Sequence, residues 1–175
     1  MAAESHVSSP PIAGSPSSEV TASYAEGIVA GLVGAATIAV WFFVLDAVRG
    51  KPFYTPTVLG TVLFHRGGGL DAPETLTPNF EIVMSFTWIH VLAFILIGLA
   101  ASRLLALAER SPSYGFGIVL FAVFFMFGFL LACMVFAEPV LRALTWPEIL
   151  VGNLLAAGAM TAVFWRRHPR LTIWP

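Results

Sequence analysis

Charge is what this chain has least of. Charged residues make up 11% of its 175 residues, against about 25% in a soluble domain. Hydrophobic residues make up 58%, which points to lipid as the solvent. The net charge of −1 removes any electrostatic reason to expect nucleic acid as a partner. A single cysteine, Cys133, excludes an internal disulfide framework and a cysteine-based zinc or iron–sulfur site. Catalytic signatures are missing as well: there is no GxSxG, P-loop or Rossmann fingerprint, no HExxH, EF-hand or CxxCH haem-attachment run. No enzyme, metal or cofactor is therefore expected.

Residues 1–22 lack Lys and Arg and are rich in Ser, Pro and Ala, as in Ser8-Ser9-Pro10-Pro11 and Ser15-Pro16-Ser17-Ser18. Such a segment has little apolar surface to bury, so it is expected to be a disordered tail. It carries neither the basic start nor the apolar run of a secretory signal, and Ala2 does not fit the myristoylation pattern. Residues 171–175 form a second short tail.

What the chain does have is long apolar runs. Ser23 with Glu26 three residues later reads as a capping box, and Gly27–Leu45 follows without a charge. Ile82–Ser102 is the second run, interrupted by His90 and closed by Arg103, with room for an extension through Leu107. Tyr114–Ala137, full of Phe and holding Cys133, is the third and ends at Glu138-Pro139. Ile149–Trp165 is the shortest and follows Pro147 and Glu148, which suit a first helical turn. A spanning helix needs about 20 apolar residues, so the expected spans are about 25–47, 82–105, 114–137 and 147–165. Trp146 and Trp165 bracket the last as interfacial anchors, and Tyr24 and Tyr114 stand at the starts of the first and third.

In the connection 49–80, Tyr54-Thr55-Pro56 followed by Thr57–Phe64 reads as a short capped helix. It is too short to span and is expected to be interfacial or re-entrant. Gly67-Gly68-Gly69 ends it, and Asp71–Pro78 returns the chain as loop. The expected fold is all-α: an integral membrane four-helix bundle over residues 23–170 with a short interfacial helix in its first loop.

Four spans put both termini on one side. Arg103, Arg110, Arg166, Arg167 and Arg170 then share that side, and Arg49, Lys51, Arg66 and Arg142 the other. The excess of arginine favours cytoplasmic termini. Small residues allow helices to approach closely in lipid. Gly27-x-x-x-Gly31, continued by Gly34, Ala35 and Ile38, forms one such face. Glu148, Gly152, Ala156 and Ala159 form another. The first and fourth spans are therefore the expected close-packing pair, and the same stripes would serve a homo-oligomer or another membrane subunit. Asp46 falls within about 60° of Gly31 at 100° per residue and should face protein.

Ionisable groups inside a membrane are costly and mark function unless a structural role accounts for them. The candidates are Asp46, His90, Glu138 and Glu148, with Asn153 as a neutral partner. Topology puts all five in the leaflet under the long loop. Three readings stand side by side. Capping and anchoring would account for Glu148 at a helix start, Glu138 before a stopping Pro and Asp46 at the interface. A polar cavity would bind an ion, proton or small ligand, with His90 titrating near neutrality. A b-type haem would need a second axial histidine, and only His65 from the loop is in range.

The stretch Gly27-Ile-Val-Ala-Gly-Leu-Val-Gly, with Trp41, Asp46, Gly50, Pro52, Thr55-Pro56 and Leu59-Gly60, resembles small uncharacterised bacterial four-helix membrane proteins in which a Gly/Ala-rich first helix leads into a Pro-containing loop. The resemblance covers about a quarter of the chain. It implies a bacterial cytoplasmic membrane and carries no functional residues, because that family has no assigned activity. The expected role is an accessory or structural subunit of a larger membrane assembly. The alternative is a small transporter or ion conductor working through Asp46, His90 and Glu138.

Overall fold

The computed structural model describes residues 16–65, 75–110 and 145–167. The expected third span Tyr114–Ala137, Cys133, Glu138, the Gly67–Gly69 break, the first half of the Asp71–Pro78 loop, the tail 171–175 and the first 15 residues lie outside them. The described residues form four helices: α1 (Pro16–Val48), α2 (Tyr54–His65), α3 (Phe80–Arg110) and α4 (Trp146–Arg167). There is no strand among the described residues. Among the described residues three segments, Ser23–Val48, Phe80–Ala106 and Trp146–Arg167, are long and apolar enough to cross a membrane.

The first helix begins at Pro16, not at Ser23. Proline at a first helical position costs no hydrogen bond, because that N–H has no intrahelical partner in any case. Ser23 is therefore inside the helix and caps nothing. Its carbonyl accepts a 2.6 Å bond from the Ser102 hydroxyl, and the two hydroxyls meet at 2.9 Å. Residues 16–22, expected in the tail, are the first two turns of α1. Its other end closes as a Schellman turn. Gly50 takes φ +72°, Gly50 N–H donates to Ala47 O at 3.0 Å and Lys51 N–H to Asp46 O at 2.9 Å.

α3 and α4 begin on side-chain and backbone caps. Asn79 Oδ1 accepts from the N–H groups of Glu81 and Ile82 at 2.9 and 3.3 Å, the N-cap pattern. Thr145 O accepts from Glu148 N–H at 3.2 Å. Within the helices, Thr37, Thr57, Thr61, Thr87, Asn153 and Thr161 each donate to the carbonyl four residues back. That satisfies a side-chain donor without water.

α1 is the element on which α3 and α4 pack, and its pairing corrects one expectation. The closest approach is to α3, backbone on backbone, not to α4. A Cβ at Gly27 would lie 2.8 Å from Leu99 Cα and 2.9 Å from Gly98 O. One at Gly31 would lie 2.7 Å from Ile95 Cα, and one at Gly98 2.7 Å from Gly31 N. The Gly27-x-x-x-Gly31 groove thus receives Gly98, which belongs to neither small-residue stripe. α4 meets α1 through side chains. Gly34 faces the Met160 sulfur and Gly152 faces the Trp41 ring, and those bulky groups hold the axes further apart. Gly152, Ala156 and Met160 are the buried face of α4. Both contacts are antiparallel: Gly27 meets Leu99 and Ala35 meets His90 in α3, while Gly34 meets Met160 and Arg49 meets Glu148 in α4.

α2 packs on the first turns of α3. A Cβ at Gly60 would lie 3.1 Å from Ile82 O and 3.3 Å from Phe86 Cβ. Val58 and Val62 are buried, with Tyr54 and Leu76 against them.

Candidate functional site

Two polar clusters and one cavity gather where α1 ends, α4 begins and α2 turns back. In the first cluster, Asp46 is 0% exposed. Its Oδ2 accepts from Thr55 N–H at 2.7 Å and its Oδ1 from the Thr55 hydroxyl at 2.8 Å. The first turn of α2 has N–H groups with no intrahelical acceptor, and a carboxyl carried by the preceding helix supplies one. Asp46 is thus a cap delivered across a chain reversal. The reversal needs Gly50 and also Phe53, a non-glycine residue at φ +66°. That conformation costs about 1–2 kcal/mol in an L-residue. The Phe53 ring packs on Phe43 with centroids 5.3 Å apart, which offsets part of it.

In the second cluster, Arg49 pairs with Glu148, and the Trp41 indole N–H donates to Glu148 O at 3.0 Å. Side chain and backbone of Glu148 are both held by α1, so the start of α4 is pinned to the end of α1. The Glu148 carboxylate raises the Arg49 pKa above its ordinary value, with a smaller contribution from the charge of Asp46. Arg49 therefore stands electrostatically between two carboxyl groups.

His90 lies deeper. Its Nε2 meets Ala35 O at 3.3 Å, and its ring sits between Phe86 and Phe94 with centroids 5.8 and 4.9 Å away. A carbonyl only accepts, so Nε2 carries the proton and Nδ1 is an acceptor in the neutral ring. Asn153 is exposed and donates to its own Ile149 O at 2.8 Å, so it joins neither cluster. Glu138 is outside the described residues. The five sequence candidates thus separate: Asp46 bonds to Thr55, Glu148 pairs with Arg49, His90 bonds to a backbone carbonyl, and Asn153 stands apart. Among the described residues no group of three His, Cys, Asp or Glu side chains is arranged to hold a metal.

Asp46 and His90 do share a cavity. It measures about 380 Å³ and lies between α1, α2 and α3. Its walls are mostly Phe, Leu, Ile and Val, with Asp46, Thr55, Thr87 and His90 as the polar positions. Its α1 wall runs from Ile38 to Asp46, roughly 12 Å at 1.5 Å per residue.

Sequence reasoning missed Arg49, Trp41, Thr55 and Gly98. Arg49 reads from the sequence as a loop charge, although its place three residues after Asp46 is a usable signal. Thr55 before Pro56 marks a helix start, but nothing local says that its acceptor lies in the previous helix.

No family model, curated protein or solved structure matches this chain.

Proposed function

We propose that this chain is an accessory subunit of a larger membrane assembly, contributing helix surface and no chemistry of its own. The observation that carries this reading is where its polar side chains are spent. Asp46 caps α2, Glu148 and Arg49 join α4 to α1, and Ser23 and Ser102 join α1 to α3. Capping and clamping account for groups that would otherwise mark a site. Large apolar side chains such as Leu32, Val40, Trp88, Leu92, Leu96 and Leu154 point outward, available to lipid, to another subunit or to a second copy.

The same reading includes four crossings and an interfacial α2. α3 and α4 both run antiparallel to α1, so α3 finishes at the end of the bundle opposite to where α4 starts. The uncharged run Tyr114–Ala137 is long enough for a span and would supply the fourth crossing. α2 has 12 residues and is roughly 18 Å long, too short to cross. A bacterial cytoplasmic membrane with both termini cytoplasmic completes the proposal, on the excess of arginine at the terminus side and the likeness of the first helix and loop to small bacterial membrane proteins.

Affinity purification after gentle detergent extraction tests it. Larger membrane proteins should co-purify in fixed proportion. A stable, monodisperse monomer under those conditions refutes the accessory role. A second reading, a small transporter or ion conductor, is favoured by the cavity that Asp46 and His90 share. In liposomes it requires flux that His90→Ala abolishes, and flux unchanged by that substitution excludes His90 as the conducting group.

A further inference from the structure

We propose that the cavity between α1, α2 and α3 is a binding site for a membrane-dissolved lipophile carrying a hydroxyl group. Three observations carry it. The volume of about 380 Å³ falls in the range of small-molecule sites, roughly 300–1,000 Å³, which are mostly apolar with a few placed polar groups. Ala39, Val40, Phe43 and Thr87 line it and are exposed on the outer faces of α1 and α3, so entry is from the hydrocarbon phase. The third observation selects the ligand's polar group.

Thr55, Thr87 and His90 have already given their donors to the protein, and Asp46 accepts. Thr55 donates its N–H and hydroxyl to Asp46. Thr87 donates to Val83 O at 2.7 Å, and His90 Nε2 to Ala35 O. What remains accessible are lone pairs on Thr87 Oγ1 and the second ring nitrogen of His90, because Asp46 and Thr55 are buried beneath the wall. A lining that offers acceptors selects a ligand that donates. An alcohol or a phenol meets that requirement and an ether or an ester does not. The apolar length of the cavity accommodates the chain or ring behind the hydroxyl. Phe53, held in a left-handed conformation, places its ring in the wall beside Phe43, a conformation of the kind found at ligand clamps.

The test uses the full chain in phosphatidylcholine liposomes and a dodecanol carrying a photoreactive diazirine at its far end. Its O-methyl ether serves as the paired probe. The alcohol should label peptides within 38–59 and 83–90 about ten-fold more than the ether at equal concentration, the worth of one hydrogen bond. Unlabelled 4-octylphenol and 1-dodecanol as competitors distinguish a ring hydroxyl from a chain hydroxyl. Ala39→Trp, at an exposed wall position, should abolish the labelling by filling the cavity. Thr87→Val should narrow the gap between alcohol and ether without changing helicity. Equal labelling by alcohol and ether overturns the proposal, as does labelling that persists in a folded Ala39→Trp chain.

Discussion

Removing the Asp46 carboxyl should loosen α2 before it affects the rest of the bundle. In Asp46→Ala the Thr55 N–H and hydroxyl, donating at 2.7 and 2.8 Å, lose their acceptor inside a residue that is itself buried. An orphaned buried donor costs about 1–3 kcal/mol, and loss of an N-cap side chain about 0.5–2 kcal/mol. These describe the same loss and are not summed. Against them stands the desolvation of a buried carboxyl, which the wild type bears and the alanine variant does not. A net destabilisation of about 1–3 kcal/mol follows. Asp46→Asn keeps one acceptor for Thr55 N–H and should fall between wild type and alanine. The direct measure is a double-mutant cycle of Asp46→Ala with Thr55→Val, read by denaturant unfolding in mixed micelles. The cycle isolates the hydroxyl bond, with an expected coupling of about 1 kcal/mol. Hydrogen exchange of residues 54–65 should rise in Asp46→Ala while Gly27–Ala35 stays protected. A coupling of zero, or exchange rising equally in α1 and α2, would refute the cap.

Further expectations separate the contacts. Gly98→Ala should destabilise by roughly 3 kcal/mol, the upper end of the overpacking range, because its Cβ meets the α1 backbone. Gly158→Ala, where nothing lies within 4 Å of a new Cβ, should stabilise by about 0.5–1 kcal/mol. Thermal melting of the pair checks both, and equal effects would sink the packing argument. Arg49→Ala should cost about 1 kcal/mol or less, since the Arg49 side chain is 42% exposed and solvent screens the pair. Added salt should weaken wild type more than the variant, as unfolding midpoints at two ionic strengths would reveal. Ser102→Ala should cost about 0.6 kcal/mol, an average interhelical hydrogen bond in a membrane protein. A cost above 3 kcal/mol in denaturant titration would mean that the serine pair does more than link α1 to α3.

Local chemistry in the sequence determined where helices form. Uncharged runs longer than any soluble core requires announced α1, α3 and α4, and Thr55-Pro56 announced α2, because run length and turn residues act within a few positions along the chain. Periodicity also placed Asp46 toward protein, since a helix repeats its faces whatever lies opposite. Tertiary structure decided the partners. The Gly27–Gly31 groove was legible, but Gly98 fills it through backbone contact, and a single glycine in a Leu-rich helix gives no periodic signal. Asp46 meets Thr55 because Gly50 and Phe53 turn the chain back in left-handed conformations, and the register of that turn sets which N–H arrives. His90 bonds to a backbone carbonyl, an acceptor every residue owns, so no side chain could have pointed to Ala35. Only the folded arrangement brings Asp46 and His90, on antiparallel helices, to one cavity. The reason is physical: propensity and burial are properties of a segment, whereas a hydrogen-bond partner is a property of the closed chain.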